Sequence, residues 1–200
     1  MKRMALIAAL FLAATLRAAA PFEGVITFKV ANPKGKVHEF TYSVKGHKTR
    51  YDMNTPKAGQ LSLIVDSASG NSLLLIEGKL EARERPFHDP PVHPGDHDTA
   101  TRTGRKTTLL GYVCEEFTVG SLPGAVQIWA AQGLAPFRHH AGSPMAERSH
   151  RPNWEKSLAD QGYFPLKLIE SGTVTAAINL EKKSLPDSLF EAPAGYKKTK

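Results

Sequence analysis

Cysteine is almost missing from this chain: Cys114 is the only one in 200 residues, which excludes an intrachain disulfide and leaves the fold to its core. Long apolar runs are scarce as well. The one extended stretch, residues 4–16, is about 13 residues, short of the ~20 a membrane-crossing helix needs. No integral membrane segment is expected. Charge of one sign is also in short supply. The formal net charge of +7 includes Lys2, Arg3 and Arg17, so the chain after residue 20 carries +4, its cations scattered among acids. That distribution suits a solvated surface and not a nucleic-acid groove. Nucleophile elbow, zincin helix, phosphate loop and dinucleotide fingerprint are all absent; Gly70 and Gly78-Lys79 are too far apart for a phosphate loop. No enzymatic activity is expected.

What is present begins with an export signal. Lys2 and Arg3 precede the uncharged Ala/Leu run, and Ala18-Ala19-Ala20 follows it, the order of a cleavable signal peptide. Residues 1–20 are therefore expected to be removed, leaving 21–200 as a single extracytoplasmic domain, in the periplasm or secreted. Pro21 would sit just after a cut at Ala20 and hinder it, while cuts after Ala19 or Ala18 place Arg17 or Leu16 at the small-residue position. With no cysteine next to the apolar run, no lipid anchor is expected. A domain of this length buries about two-thirds of its unfolded surface, enough for a core.

From Phe22 the residues alternate, with Phe22, Gly24, Ile26, Phe28 and Val30 on one face, as in a half-buried strand. The turn signal Asn32-Pro33-Lys34-Gly35 leads to a second alternation, Phe40, Tyr42 and Val44, and the two read as a hairpin. Further strands are expected at 49–53, 61–66, 72–77, 110–119, 125–130, 163–170 and 173–180, about nine in all. The run Leu73-Leu74-Leu75-Ile76 is apolar on both faces, as a covered central strand would be. Residues 86–104 are rich in Pro, Gly, His and Asp and read as a loop, and a second loop runs to Asn153. Asn153 is placed as the N-cap of a short helix carrying Trp154 and Leu158, with Gly162 as its stop; a second helix is expected from Ser143-Pro144. The fold class is α+β: a curved antiparallel half-barrel sheet with one or two covering helices and an apolar hollow between sheet and helix.

The segments 111–119 (GYVCEEFTV), Trp129, 162–167 (GYFPLK) and 185–196 (LPDSLFEAPAGY), with Phe22-Glu23-Gly24 and 49–52 (TRYD), resemble a family of exported bacterial proteins classed as a domain of unknown function. That family is distantly similar to the periplasmic lipoprotein carriers. The resemblance implies a half-barrel closed by helices over an apolar cavity, a lipid or other apolar ligand, and no catalytic residues.

Candidate lining residues for such a hollow are Phe28, Phe40, Tyr42, Trp129 and Trp154, against the plainer reading that they pack the core. His88, His93, Asp96 and His97 lie in a segment with three imidazoles and three carboxylates within eleven residues, donors that suit a divalent metal. Its prolines and spacing match no established structural site, so a solvated loop is the rival reading. His139-His140 and His150 would join it only if the two loops meet. Cys114 is read as a buried apolar residue; Glu115 and Glu116 point to opposite faces, and whichever faced inward would need a partner such as an Arg or Tyr. No cofactor is otherwise expected. The alternatives to an apolar-ligand protein are an envelope-sensing module that binds a protein partner through sheet edges or loops, and a metal-binding protein.

Overall fold

The computed structural model describes residues 22–56, 59–93, 95–120, 124–135 and 150–199. They form one open sheet of twelve strands and one α-helix. In chain order the strands are β1 Gly24–Ala31, β2 Val37–Lys45, β3 Lys48–Thr55, β4 Gly59–Asp66, β5 Asn71–Ile76, β6 Glu81–Pro86, β7 Thr101–Leu109, β8 Tyr112–Val119 and β9 Val126–Gln132. Helix α1, Asn153–Asp160, follows, then β10 Tyr163–Glu170, β11 Thr173–Lys182 and β12 Lys197–Thr199. The order across the sheet is β12-β6-β5-β4-β3-β2-β1-β11-β10-β9-β8-β7. Two antiparallel meanders are thus joined where β11 pairs with β1, and only β12, beside β6, runs parallel to its neighbour.

Local chemistry accounts for the joints. Asn32 Oδ1 accepts hydrogen bonds from the amides of Lys34 and Lys36, both at 3.0 Å, an Asx turn that closes the β1–β2 hairpin. Ser171 and Gly172 both take positive φ, 48° and 76°, the two-residue turn whose twist matches a hairpin. At Gly24 a Cβ would stand 2.0 Å from the Glu181 carbonyl oxygen, so close passage of β11 over β1 demands glycine there.

The sheet has twelve strands where about nine were expected. The additional ones are β6, β7 and β12. In β6 (EARERP) only Ala82 is buried and in β7 (TRTGRKTTL) no residue is, so neither carries the apolar alternation that marks a strand; β12 spans three residues. The loop of 86–104 is correspondingly shorter, since Pro86 closes β6 and Thr101 opens β7. Asn153 is the first residue of α1 and not its cap: Pro152 precedes it without a side-chain cap bond, and Asp96 Oδ2 accepts the Asn153 amide at 3.0 Å. The helix expected from Ser143-Pro144 lies outside the described residues.

Three apolar clusters hold the sheet. The central one gathers Ile26, Phe28, Tyr42, Cys114, Phe164 and Leu166. A second joins Trp154 and Leu158 of α1 to Phe117, Ile128, Tyr163 and Leu168. The third lies under a C-terminal strap, where Leu185 and Phe190 cover Ile64, Leu75 and Ala82. Polar bonds fasten that strap. Arg50 donates to the Leu189 carbonyl at 2.7 Å, Lys45 Nζ to the Leu185 carbonyl at 2.6 Å, and the Leu185 amide to Glu23 at 2.7 Å. Pairing of β1 through β4 puts Arg50 and Ile64 on the face opposite Phe40, Tyr42 and Tyr51, so strap and aromatic rings occupy opposite faces.

Candidate ligand-binding hollow

Register builds an aromatic ladder on that free face. Phe28 lies opposite Phe40 and Tyr42 opposite Tyr51. The Phe28 and Phe40 rings stack at 4.9 Å with 12° between planes, and Tyr51 follows Phe40 at 4.7 Å, spacings at which aromatic pairs attract beyond simple burial. Tyr42 on β2 and Phe164 on β10 are three strand spacings apart, about 14 Å on a flat sheet. Their ring centroids are nevertheless 5.6 Å apart. The sheet therefore curls towards this face, and the curl encloses space.

The result is a hollow of about 450 Å³ with Phe28, Phe40, Tyr42, Tyr51 and Phe164 as its aromatic wall, within the ~300–1,000 Å³ range of small-molecule sites. His38, Lys167, Glu170 and the threonines of β11 form a polar rim. Burial pushes the Tyr51 phenol up to about 12, so it remains neutral at physiological pH and adds no charge to the wall.

Phe28, Phe40 and Tyr42 of the expected set line this hollow. Trp129 packs against the central cluster but lines a neighbouring hollow with Arg105, Lys106 and Lys167. Trp154 lies in the separate cluster beneath α1, 4% exposed, and does not line the aromatic hollow, which is bounded by strands and not by sheet and helix. Tyr51 and Phe164 were not among the expected residues. The hairpin pairing of Tyr51 with Tyr42 could have found the first; the second needed the long-range curl.

The two loops do meet. Val92 bridges to Arg151, the Arg151 amide donates to the Pro91 carbonyl at 3.0 Å, and the His93 and His150 rings lie 5.0 Å apart. Among the described residues, however, no three His, Cys, Asp or Glu side chains stand close enough to hold a metal ion. Asp96 is engaged instead with the amides of Asp98 and Asn153. His88 and His97 are exposed, and His139-His140 lie outside the described residues.

Glu116 turns inward, 0% exposed, and accepts from Thr103 Oγ1 at 2.6 Å, Gln127 at 2.5 Å and the Arg105 guanidinium. Burial pushes its carboxyl up, but those donors outweigh it and hold the group below the usual carboxylate range. Glu115 accepts from the Tyr163 hydroxyl at 2.9 Å, the largest of the contacts holding it low, with Lys106 at 3.2 Å. Cys114 is fully buried, and burial pushes its thiol up.

Residues 22–196, nearly all of those described, match a family model whose description is Domain of unknown function (DUF4412). The chain belongs to that family. Solved structures align with this DUF4412 domain at low identity. A structure of PNGF-II superposes with a TM-score of 0.52 at 15% identity, covering 89% of this chain and 30% of that one. The domain thus spans less than a third of PNGF-II, and at that identity the likeness is one of fold. A LolA superfamily protein, NE2245 from Nitrosomonas europaea, aligns over 86% of this chain and 90% of its own at 9% identity, with a TM-score of 0.33. No curated protein matches the chain. No helix among the described residues is long and apolar enough to cross a membrane.

Proposed function

We propose that this DUF4412 domain is an extracytoplasmic, non-enzymatic binding protein that holds a lipid, an acylated molecule or another apolar ligand in the aromatic hollow. The observation that carries this reading is the hollow itself, where five aromatic side chains wall about 450 Å³ on the sheet face opposite the strap. Each methylene buried there contributes about 0.8 kcal/mol, so one alkyl chain would be held usefully. The N-terminal export pattern supports placing the domain outside the cytoplasm, where free apolar molecules need a carrier.

The experiment is mass spectrometry of organic extracts of natively purified protein, with titration of a fluorescent fatty acid. Co-purified lipid and saturable uptake are expected, with uptake weakened about tenfold or more by Phe28→Ala or Phe40→Ala, as losing most of a buried ring's contact implies. The absence of both bound lipid and uptake would overturn the reading.

The sheet edges give less support to a protein-docking role. The outer strand β7 carries Arg102, Arg105 and Lys106 and a register shift around Gly104, devices that blunt an exposed edge against pairing.

A further inference from the structure

Lys167 lines two hollows at once. One is the aromatic hollow; the other lies towards β7 and is lined by Arg105, Lys106, Thr107, Leu109 and Trp129. The strands around the second hollow carry an excess of cations. Arg105 is taken by Glu116, and Arg102 and Lys106 share Glu115 at 3.3 and 3.2 Å. Lys167, half-buried, has no carboxylate partner among the described residues. Four cations thus stand against two carboxylates, and Lys167, the one without a carboxylate partner, sits where the aromatic wall meets the basic hollow.

Three residues further along β10 the rim carries a carboxylate, with the His38 imidazole also on the rim. There, at the β10–β11 hairpin, Glu170 lines the rim with Ser171 and Thr173. An anionic group is repelled at Glu170 and attracted at Lys167, so the rim orients an amphiphile. The volume restricts its size: about 450 Å³ falls in the lower half of the range that takes one small molecule, space for one alkyl chain and not for the several of a multiply acylated lipid.

We propose that the ligand is a single-chain amphiphile with a carboxylate head, a long-chain fatty acid in chemical class. Its chain lies along Phe28, Phe40 and Tyr51, and its head meets Lys167 at the mouth of the basic hollow. This rests on the apolar-ligand reading above and adds the head group to it. A charge-assisted hydrogen bond from a half-buried ammonium is the strong kind, so the head contributes selectivity where the chain contributes bulk affinity.

The test uses three probes of equal chain length on the full protein: a fluorescent fatty acid, the matching alcohol and the matching alkyl trimethylammonium. The acid should bind about tenfold more tightly than the alcohol, the ammonium more weakly than either, and added salt should narrow the gap. Lys167→Met should lower the acid to the affinity of the alcohol and leave the alcohol unchanged, while Lys167→Arg keeps the preference; unchanged melting temperatures would show both variants folded. Equal binding of acid and alcohol by the unmodified protein would overturn the head-group inference and leave the apolar-ligand reading standing. If none of the probes binds, both fall. A lysophospholipid that binds more tightly than the acid would overturn the carboxylate assignment in favour of a phosphate head.

Discussion

Replacing Arg50 with Met should loosen the C-terminal strap before it disturbs anything else. Arg50 is 13% exposed and Asp52 17% exposed; their ion pair spans 2.9 Å. The same guanidinium donates to the Leu189 carbonyl at 2.7 Å and to Ser62 at 3.0 Å. Removing one partner of a fully buried pair costs about 3–5 kcal/mol. Asp52 retains Ser62 at 2.5 Å and Gln60 at 3.1 Å as donors, and methionine preserves much of the stem packing, so the loss here should be about 2–3 kcal/mol. At ~2–4 °C per kcal/mol for a domain of this size, melting should fall by roughly 5–10 °C. Arg50→Lys, which keeps the charge but loses the fork, should fall between. Hydrogen exchange localises the effect: the amides of Leu185, Leu189 and Glu191 should lose protection while those of β8 to β10 keep theirs. A melting point within about 1 °C of the unmodified protein, or a strap that stays protected, would refute the assignment of Arg50 as its fastener.

Glu116 gives a pH signature. A carboxyl held low in the folded state stabilises at pH above its unfolded value of ~4.3 and loses that contribution as pH falls through the folded value. Glu116→Gln should therefore be less stable near neutrality yet decline less between about pH 5 and pH 3, as read by urea denaturation across that interval; parallel curves would sink the idea. Asp96→Ala removes the carboxylate that meets the first amide of α1 and should cost about 1 kcal/mol, as lost helix caps do. The same loss with and without added zinc would mark Asp96 as structural, whereas a zinc-dependent loss would revive it as a ligand. Cys114 should react with a thiol reagent only at the rate of unfolding; rapid labelling of the native protein would contradict its burial.

The parts of this fold legible in the sequence are those where one face of a strand is buried. The alternation of Phe28 with Lys29 and of Phe40 with Thr41, and the turn at Asn32-Pro33-Lys34-Gly35, are local consequences of a half-buried hairpin, and they placed three of the five wall aromatics. The edge strand β7 left no such trace, because a strand paired on one side with no fully buried residue has no apolar period to write. Trp154 misled for a related reason. A large apolar residue on an amphipathic helix announces that it will be buried, but not in which of three clusters.

The sequence by itself therefore determined the antiparallel hairpins, which follow from residues close along the chain, and the family, which follows from short segments spread along it. Only the tertiary structure decided that β11 closes on β1, that the last segment straps the back of the sheet, and that Tyr42 meets Phe164 across three strand spacings. Those contacts join residues more than a hundred positions apart, and the curl that encloses the hollow is a property of the whole sheet rather than of any one strand.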